Sequence, residues 1–266
     1  MTRTDRGNGY SQSLERGLAI LAAFTPGRTL LGISDLARVV ELSRSTAHRY
    51  VATLARLGYL QQDEATRKYR LGPRVLDLGF SAINSMELRE LAAPHLRQLA
   101  DETGHTANMA ILDGADIVYI ERARSLRPGA GEIELDLHVG SRLPAYCTSM
   151  GKVLLAFLPE CKREELLGNV ALERRGPNTL VDREGLAAEL RRVRRRGFAV
   201  NNEELAAGLR SLAAPLRSQG GAVVAAINLA VHGSPGSVAE LVRRLEQPLR
   251  RTAGEISARI GYRSEA

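Results

Sequence analysis

Within LSRSTAHRYVATLARLGYL (Leu42–Leu60), Arg44, Ser45, His48 and Arg49 recur along one helical stripe, while Ala47, Val51, Leu54 and Leu57 recur along another. Guanidiniums, hydroxyls and an imidazole on one face suit a polyanion. Arg44 and Arg49 can grip guanine N7 and O6 or a phosphate, and Ser45, Thr46 and His48 can add single hydrogen bonds. An isolated helix with such a stripe is more often a solvated surface helix, so the flanking elements must decide.

A second spacing with chemical potential is Ser149-Met150-Gly151-Lys152. It fits S-x-x-K, in which a lysine one helical turn away activates a serine for acyl transfer. The companion S-D-N and K-T-G motifs are absent, as are HExxH, GxSxG, a Walker loop and GxGxxG. An S-x-x-K hydrolase is therefore only an alternative reading, and no catalytic residue is assigned. Cys147 and Cys161 have neither CxxC nor metal-ligand spacing, and His138 is the nearest histidine to Cys147. Both read as free thiols, with no metal and no cofactor expected.

The elements around the basic stripe point to DNA. Ser11–Ala23 has a helical apolar period and stops near Pro26-Gly27. ISDLARVV reads as a short second helix with Ser34 as its amino cap, and Glu41-Leu42 is the whole connector to a third helix capped by Ser43. Gly58 ends that helix, and Tyr59–Gln62 and Lys68–Leu71 read as strands around a polar turn, with Arg67 and Lys68 at the tip. Three helices and a basic hairpin make a winged helix-turn-helix, whose third helix enters a major groove. The expected DNA contacts are Ser43, Arg44, Ser45, Thr46, His48, Arg49, Arg67 and Lys68, with double-stranded DNA as the partner.

At 266 residues, two domains are expected. The net charge of +7 is concentrated early: residues 1–80 hold 12 Lys and Arg against 7 Asp and Glu. With no apolar run long enough for a membrane span and a polar start at Met1–Ser13, the sequence suggests a cytoplasmic protein. Arg74–Ser85 is helical in period, and a further helix over Leu88–Thr103 contains Pro94, where a kink or restart is expected. Beyond it come TANMAILDGADIVYIERA as a hairpin about Asp113-Gly114, GEIELDLHV as a strand and SMGKVLLAFL as an apolar helix. A helix over Leu180–Arg196 follows, then strands in GFAVNN, LRSLAAPL and AVVAAINLAV, and a long terminal helix over Gly236–Ile260. The fold class is α+β: a winged helix-turn-helix over residues 1–72, a linker helix over 73–86, and an antiparallel-sheet domain over 87–266.

These pieces resemble the IclR family of bacterial transcriptional regulators. The resemblance rests on SLERGLAILAAF, ISDLARVVELSRSTAHRYVATLARLGYL, YRLGPRVLDLG, VGSRLPAYCTSMGKVLLAFLP and GFAVNNEELAAGLRSLAAPLRSQGGAVVAAINLAV. It implies a GAF-like effector domain that binds a small metabolite, and a homodimer that in some members pairs into a tetramer. RLPAYCTSMGKVLLA looks most like the branch controlling protocatechuate and β-ketoadipate catabolism, which implies a carboxylic-acid effector. An IclR-type repressor answering an unrelated metabolite is the alternative. Carried over by block, the effector residues are Ser149, Met150, Asn201, Leu209, Ser211, Asn228 and Ala230, with Leu135 and Leu143 as apolar wall. A buried carboxylate needs donors or a cation, for which Ser149, Asn201, Ser211, Asn228, Arg122 and Arg142 are candidates. Members that bind keto acids often have an acid at the Asn201 position and a serine at the Asn228 position; this chain departs at both.

Overall fold

The computed structural model describes residues 10–25, 27–78, 87–125, 137–232 and 236–263. Contacts divide the chain into two units, Met1–Ser85 and Met86–Ala266.

In the first unit, α1 (Gln12–Ala22) starts where Ser11 Oγ accepts the Leu14 N–H, and α2 (Ile33–Val39) follows. The cap of α2 is Gly32 and not Ser34, because the Asp35 carboxylate reaches back to accept the Gly32 N–H at 3.2 Å. Ser43 Oγ accepts the Thr46 N–H at 3.2 Å to open α3 (Arg44–Arg56), and Gly58, at φ 80°, lets the chain turn out of it. Ala47 and Val51 are fully buried against Ile20 and Leu36, whereas Leu57 is left exposed. Strands β1 (Leu60–Gln62) and β2 (Tyr69–Leu71) pair antiparallel, and Leu31 bridges Tyr69 to tie the hairpin to the segment before α2. The expected winged helix-turn-helix is the one observed.

The second unit is a six-stranded antiparallel sheet, ordered β5-β4-β3-β8-β7-β6. Its strands are β3 (Thr106–Asp113), β4 (Asp116–Ala123), β5 (Arg142–Pro144), β6 (Ala199–Asn202), β7 (Leu209–Arg217) and β8 (Val223–His232). Strand alternation sends Met109, Leu212, Ile227 and Leu229 to one face, under α4 (Glu87–Thr103) and α8 (Val238–Arg259). Pro94 lies inside α4 without ending it, so the expected restart does not occur.

The opposite face is lined with small residues, Ala110, Ala199, Ala213 and Ala226, and α5 (Ser149–Phe157) settles on them with Met150, Val153 and Leu155 fully buried. A 3₁₀ turn (Ala145–Cys147) leads into α5, and α7 (Arg183–Arg196) packs outside it. Periodicity does not indicate α6 (Glu160–Gly168), whose sequence ECKREELLG carries too short an apolar stripe to show one. Of the strand expected at GEIELDLHV, residues 131–136 lie outside the described residues and 137–139 form no strand. Residues 74–78 begin the expected linker helix, and 79–86 lie outside the described residues.

Gly151 controls how closely α5 meets the turn before it. A Cβ there would stand 2.2 Å from the Ala145 carbonyl oxygen and 2.3 Å from Ala145 Cα, both backbone atoms that cannot swing aside. Gly151→Ala is therefore expected to cost about 2–3 kcal/mol by overpacking, read as a lowered midpoint in urea unfolding. An unchanged midpoint would contradict the packing described.

A basic helix face and a buried polar cavity

On α3, Arg44, Ser45, His48 and Arg49 are exposed together, next to half-buried Thr46. Ser43 Oγ is occupied by the cap and by Thr46 Oγ1 at 2.8 Å, so its first task is to fix the helix start. The hairpin tip is shaped by Asp63, whose Oδ1 accepts from Thr66 N at 2.8 Å and Thr66 Oγ1 at 2.7 Å, holding its carboxyl below the usual range. Arg67 sits at φ 58° in the tight return, and its side chain and that of Lys68 are exposed. All eight residues expected to contact DNA thus lie at the amino-terminal part of α3 or at the hairpin tip.

Arg74 has a role that its sequence position does not suggest. Its Nη1 donates to the Leu57 carbonyl at 3.2 Å, placing a cation at the carboxyl end of α3, where the helix dipole favours one. Gly72 N donates to the Tyr59 carbonyl at 2.8 Å. The residues that begin the linker are thus fastened to the end of the basic helix.

In the second unit, two cross-strand rows floor a cavity of ≈ 30 Å³, space for about one water. One row runs Arg122, Asn108, Asn228 across β4, β3 and β8; the other runs Thr106, Ala230, Ser211, Asn201 across β3, β8, β7 and β6. A bulge builds the first row. Met109 pairs with Glu121 and Ala110 with Tyr119, leaving Ile120 as the extra residue, so Tyr119 and Arg122, three apart, both face the cavity. The amino terminus of α5 closes the far side with Thr148 and Ser149, and Leu137, Leu205 and Leu209 add apolar wall.

The polar groups are linked. Asn108 Nδ2 donates to Asn228 Oδ1 at 2.8 Å, Asn228 Nδ2 donates to Ser149 Oγ at 3.5 Å, and the Ser149 and Ser211 hydroxyls are 2.7 Å apart. Asn201 Nδ2 donates to the Cys147 carbonyl at 2.6 Å, and Asn201 Oδ1 accepts from Glu204 N at 3.1 Å. Arg122 donates to the Leu137 carbonyl at 2.7 Å and is the one ionised lining side chain among the described residues. Burial pushes the Tyr119 phenol up to about 12, so it stays protonated and able to donate. Burial likewise raises the Cys147 thiol to about 12, which keeps it neutral and unreactive near pH 7.

Of the residues expected to bind an effector, Arg122, Ser149, Asn201, Leu209, Ser211, Asn228 and Ala230 line this cavity. Met150 is turned into the core beneath α5, and Leu143 packs against that core. Arg142 is held at the β3–β4 turn by Asp113 at 2.7 Å and Asp116 at 3.6 Å, away from the cavity. Leu135 lies outside the described residues. Thr106, Asn108, Tyr119 and Thr148 escape sequence reasoning, because strand register and the bulge decide their facing.

The S-x-x-K spacing does not form a catalytic pair. Lys152, 1% exposed, carries its ammonium to the Glu204 carboxylate and the Val200 carbonyl, both at 2.5 Å, with Glu189 at 3.9 Å. Ser149 instead faces Ser211 and Asn228. The lysine is the cation of a buried carboxylate cluster.

The family model described as the C-terminal region of the bacterial transcriptional regulator IclR matches residues 80–258, and that for the IclR helix-turn-helix domain matches residues 13–64. The chain is 40% identical to the Pca regulon regulatory protein of Pseudomonas putida, over 88% of this chain and 79% of that one. It is 33% identical to the p-hydroxybenzoate hydroxylase transcriptional activator of Acinetobacter baylyi, over 94% and 92%. A crystal structure of an IclR homolog from Microbacterium hydrocarbonoxydans in complex with 4-hydroxybenzoate superposes with a TM-score of 0.77 at 29% identity, over 93% of this chain and 98% of that one.

Proposed function

Because the chain belongs to the IclR family of bacterial transcriptional regulators, whose DNA-binding and effector regions it carries in order, we propose that it senses a small aromatic carboxylic acid and transmits that binding to operator DNA. The observation that carries the reading is the cavity: among the described residues its one ionised lining side chain is a cation, its other polar groups include several donors, and a helix amino terminus closes it. Such a lining favours an anion, since the dipole of α5 and the hydroxyls of Ser149 and Ser211 offer positive potential to a carboxylate. The 4-hydroxybenzoate complex of the M. hydrocarbonoxydans homolog and the relatedness to aromatic-acid regulators support an aromatic acid.

A benzoate ring is far larger than a space of ≈ 30 Å³, so binding widens the cavity and makes the ligand-bound unit differ in shape from the free one. A ligand shifts a conformational equilibrium only through such a difference. The linker over residues 73–86 carries the change: through Arg74 its start is tied to the end of α3, and Gly72 just before it is bonded to Tyr59, so moving the linker re-aims the DNA-contacting face. The acting species is a homodimer that sets two copies of α3 in successive major grooves. Leu14 at 63% and Leu18 at 57% exposure on α1, with Leu76 and Leu78, offer the apolar surface such a dimer would cover. A DNA target implies a cytoplasmic protein.

Calorimetric titration of the full-length protein with protocatechuate and 4-hydroxybenzoate tests the reading, with micromolar binding expected for at least one. In the same experiment Asn228→Ala is expected to weaken that acid by about 1–3 kcal/mol, because it removes the bridge between Asn108 and Ser149, while leaving operator binding unchanged. Equal loss of acid and operator binding would reject the assigned role of Asn228.

A further inference from the structure

Asn108 is 3% exposed, lines the cavity and spends its Nδ2 on Asn228, yet its Oδ1 has no hydrogen-bond partner among the described residues. A buried acceptor left unpaired is costly, and such groups are rare in folded proteins. A carboxylate cannot relieve it, because a carboxylate also only accepts. A hydroxyl can.

Placement on the sheet agrees. The hydroxyl of Ser211 lies on β7 and Asn108 lies on β3, with β8 between them, and they sit in adjacent rows, Ser211 opposite Ala230 and Asn108 opposite Asn228, so their backbones are roughly 12 Å apart on the diagonal. Side chains on one face stand side by side across the sheet, so once the cavity widens, a ring lying over Asn228 can set its carboxylate at Ser149, Ser211 and the amino terminus of α5. The substituent on the opposite edge of the ring then meets Asn108. A hydroxyl there also tolerates reversal of the Asn108 and Asn228 amides, since it can accept as well as donate.

We propose that Asn108 is the specificity residue of the cavity and selects hydroxylated aromatic acids over their unsubstituted parents by pairing with the ring hydroxyl. The proposal rests on the aromatic-acid reading of the cavity and goes beyond it in naming the second recognised group and the residue that reads it.

Titration of the full-length protein with benzoate, 3-hydroxybenzoate, 4-hydroxybenzoate and 4-fluorobenzoate tests it. One hydroxybenzoate should bind about tenfold or more tightly than benzoate, because a site built to pair a hydroxyl discriminates against the analogue that lacks it. 4-Fluorobenzoate, which brings no donor, should behave like benzoate. In Asn108→Leu the ratio of hydroxybenzoate to benzoate affinity should fall to within about threefold, whatever the change in benzoate binding itself. Equal wild-type affinity for the four acids, or an undiminished preference in the variant, would overturn the role of Asn108 and leave the aromatic-acid reading standing. Failure of all four, and of protocatechuate, to bind would overturn both. If Asn108→Leu does not fold, Asn108→Ala carries the same test, and an undiminished preference there overturns the role equally.

Discussion

Replacing Lys152 with Met is expected to destabilise the second unit by about 3–5 kcal/mol near pH 7, because it leaves a buried carboxylate without its cation. Glu204 is only 6% exposed, and its Oε1 depends on the Lys152 ammonium at 2.5 Å. Burial already pushes the Glu204 carboxyl up, against the opposing pull of Lys152. A raised carboxylate favours the folded state below its unfolded value, and that contribution is lost as pH rises through its folded value. Without Lys152 the carboxyl rises further and takes a proton more readily, so the penalty should shrink on moving from pH 7 to pH 5. Urea unfolding of the full-length protein at both values checks this. A variant as stable as the wild type at pH 7 would contradict the buried cluster.

The second large effect concerns DNA. Arg44→Ala with Arg49→Ala should weaken operator binding by about 2–5 kcal/mol, since each arginine that grips a base edge or phosphate is worth roughly 1–3 kcal/mol. Both residues are exposed on α3, whereas Ala47 and Val51 carry its buried contacts, so removing the arginines leaves the core intact. Arg67→Ala with Lys68→Ala should behave differently, lowering affinity for all sequences and flattening its salt dependence by about one unit of slope for each phosphate that the hairpin no longer neutralises. Anisotropy titrations against operator and scrambled duplexes, repeated at several salt concentrations, separate the two. Equal loss on both duplexes for the α3 pair would show that those arginines hold phosphates only.

The first unit was legible because its determinants are local. Ser43 and Gly58 bracket α3 within its own sequence, and the apolar stripe of Ala47 and Val51 is visible without knowing what covers it. Even there Ser34 misled, since the carboxylate of Asp35, three positions beyond the actual cap, reaches back to the Gly32 N–H. The cavity was harder. Asn201, Ser211 and Asn228 were reached through resemblance to known blocks, whereas Asn108 and Tyr119 gave no signal. Their facing depends on the pairing of β3 with β8 and on the bulge at Ile120, neither of which is written in local periodicity. Lys152 shows the same limit: its three-residue spacing from Ser149 suggested one chemistry, but its partners Val200 and Glu204 come from 48 and 52 residues away. Arg142 could not be told from Arg122 by composition, and only the two aspartates beside it decided that it stays at the turn.

The central claim is that an aromatic acid in the cavity and DNA on α3 bias one another. The most direct test is fluorescence anisotropy of the full-length protein on the DNA upstream of its own gene, with and without saturating 4-hydroxybenzoate or protocatechuate. A coupling of about 1–3 kcal/mol would shift operator affinity by roughly five- to 150-fold with one of the acids, in either direction. Operator binding that is tight, salt-sensitive and unmoved by both acids, although at least one of them binds, would contradict the account.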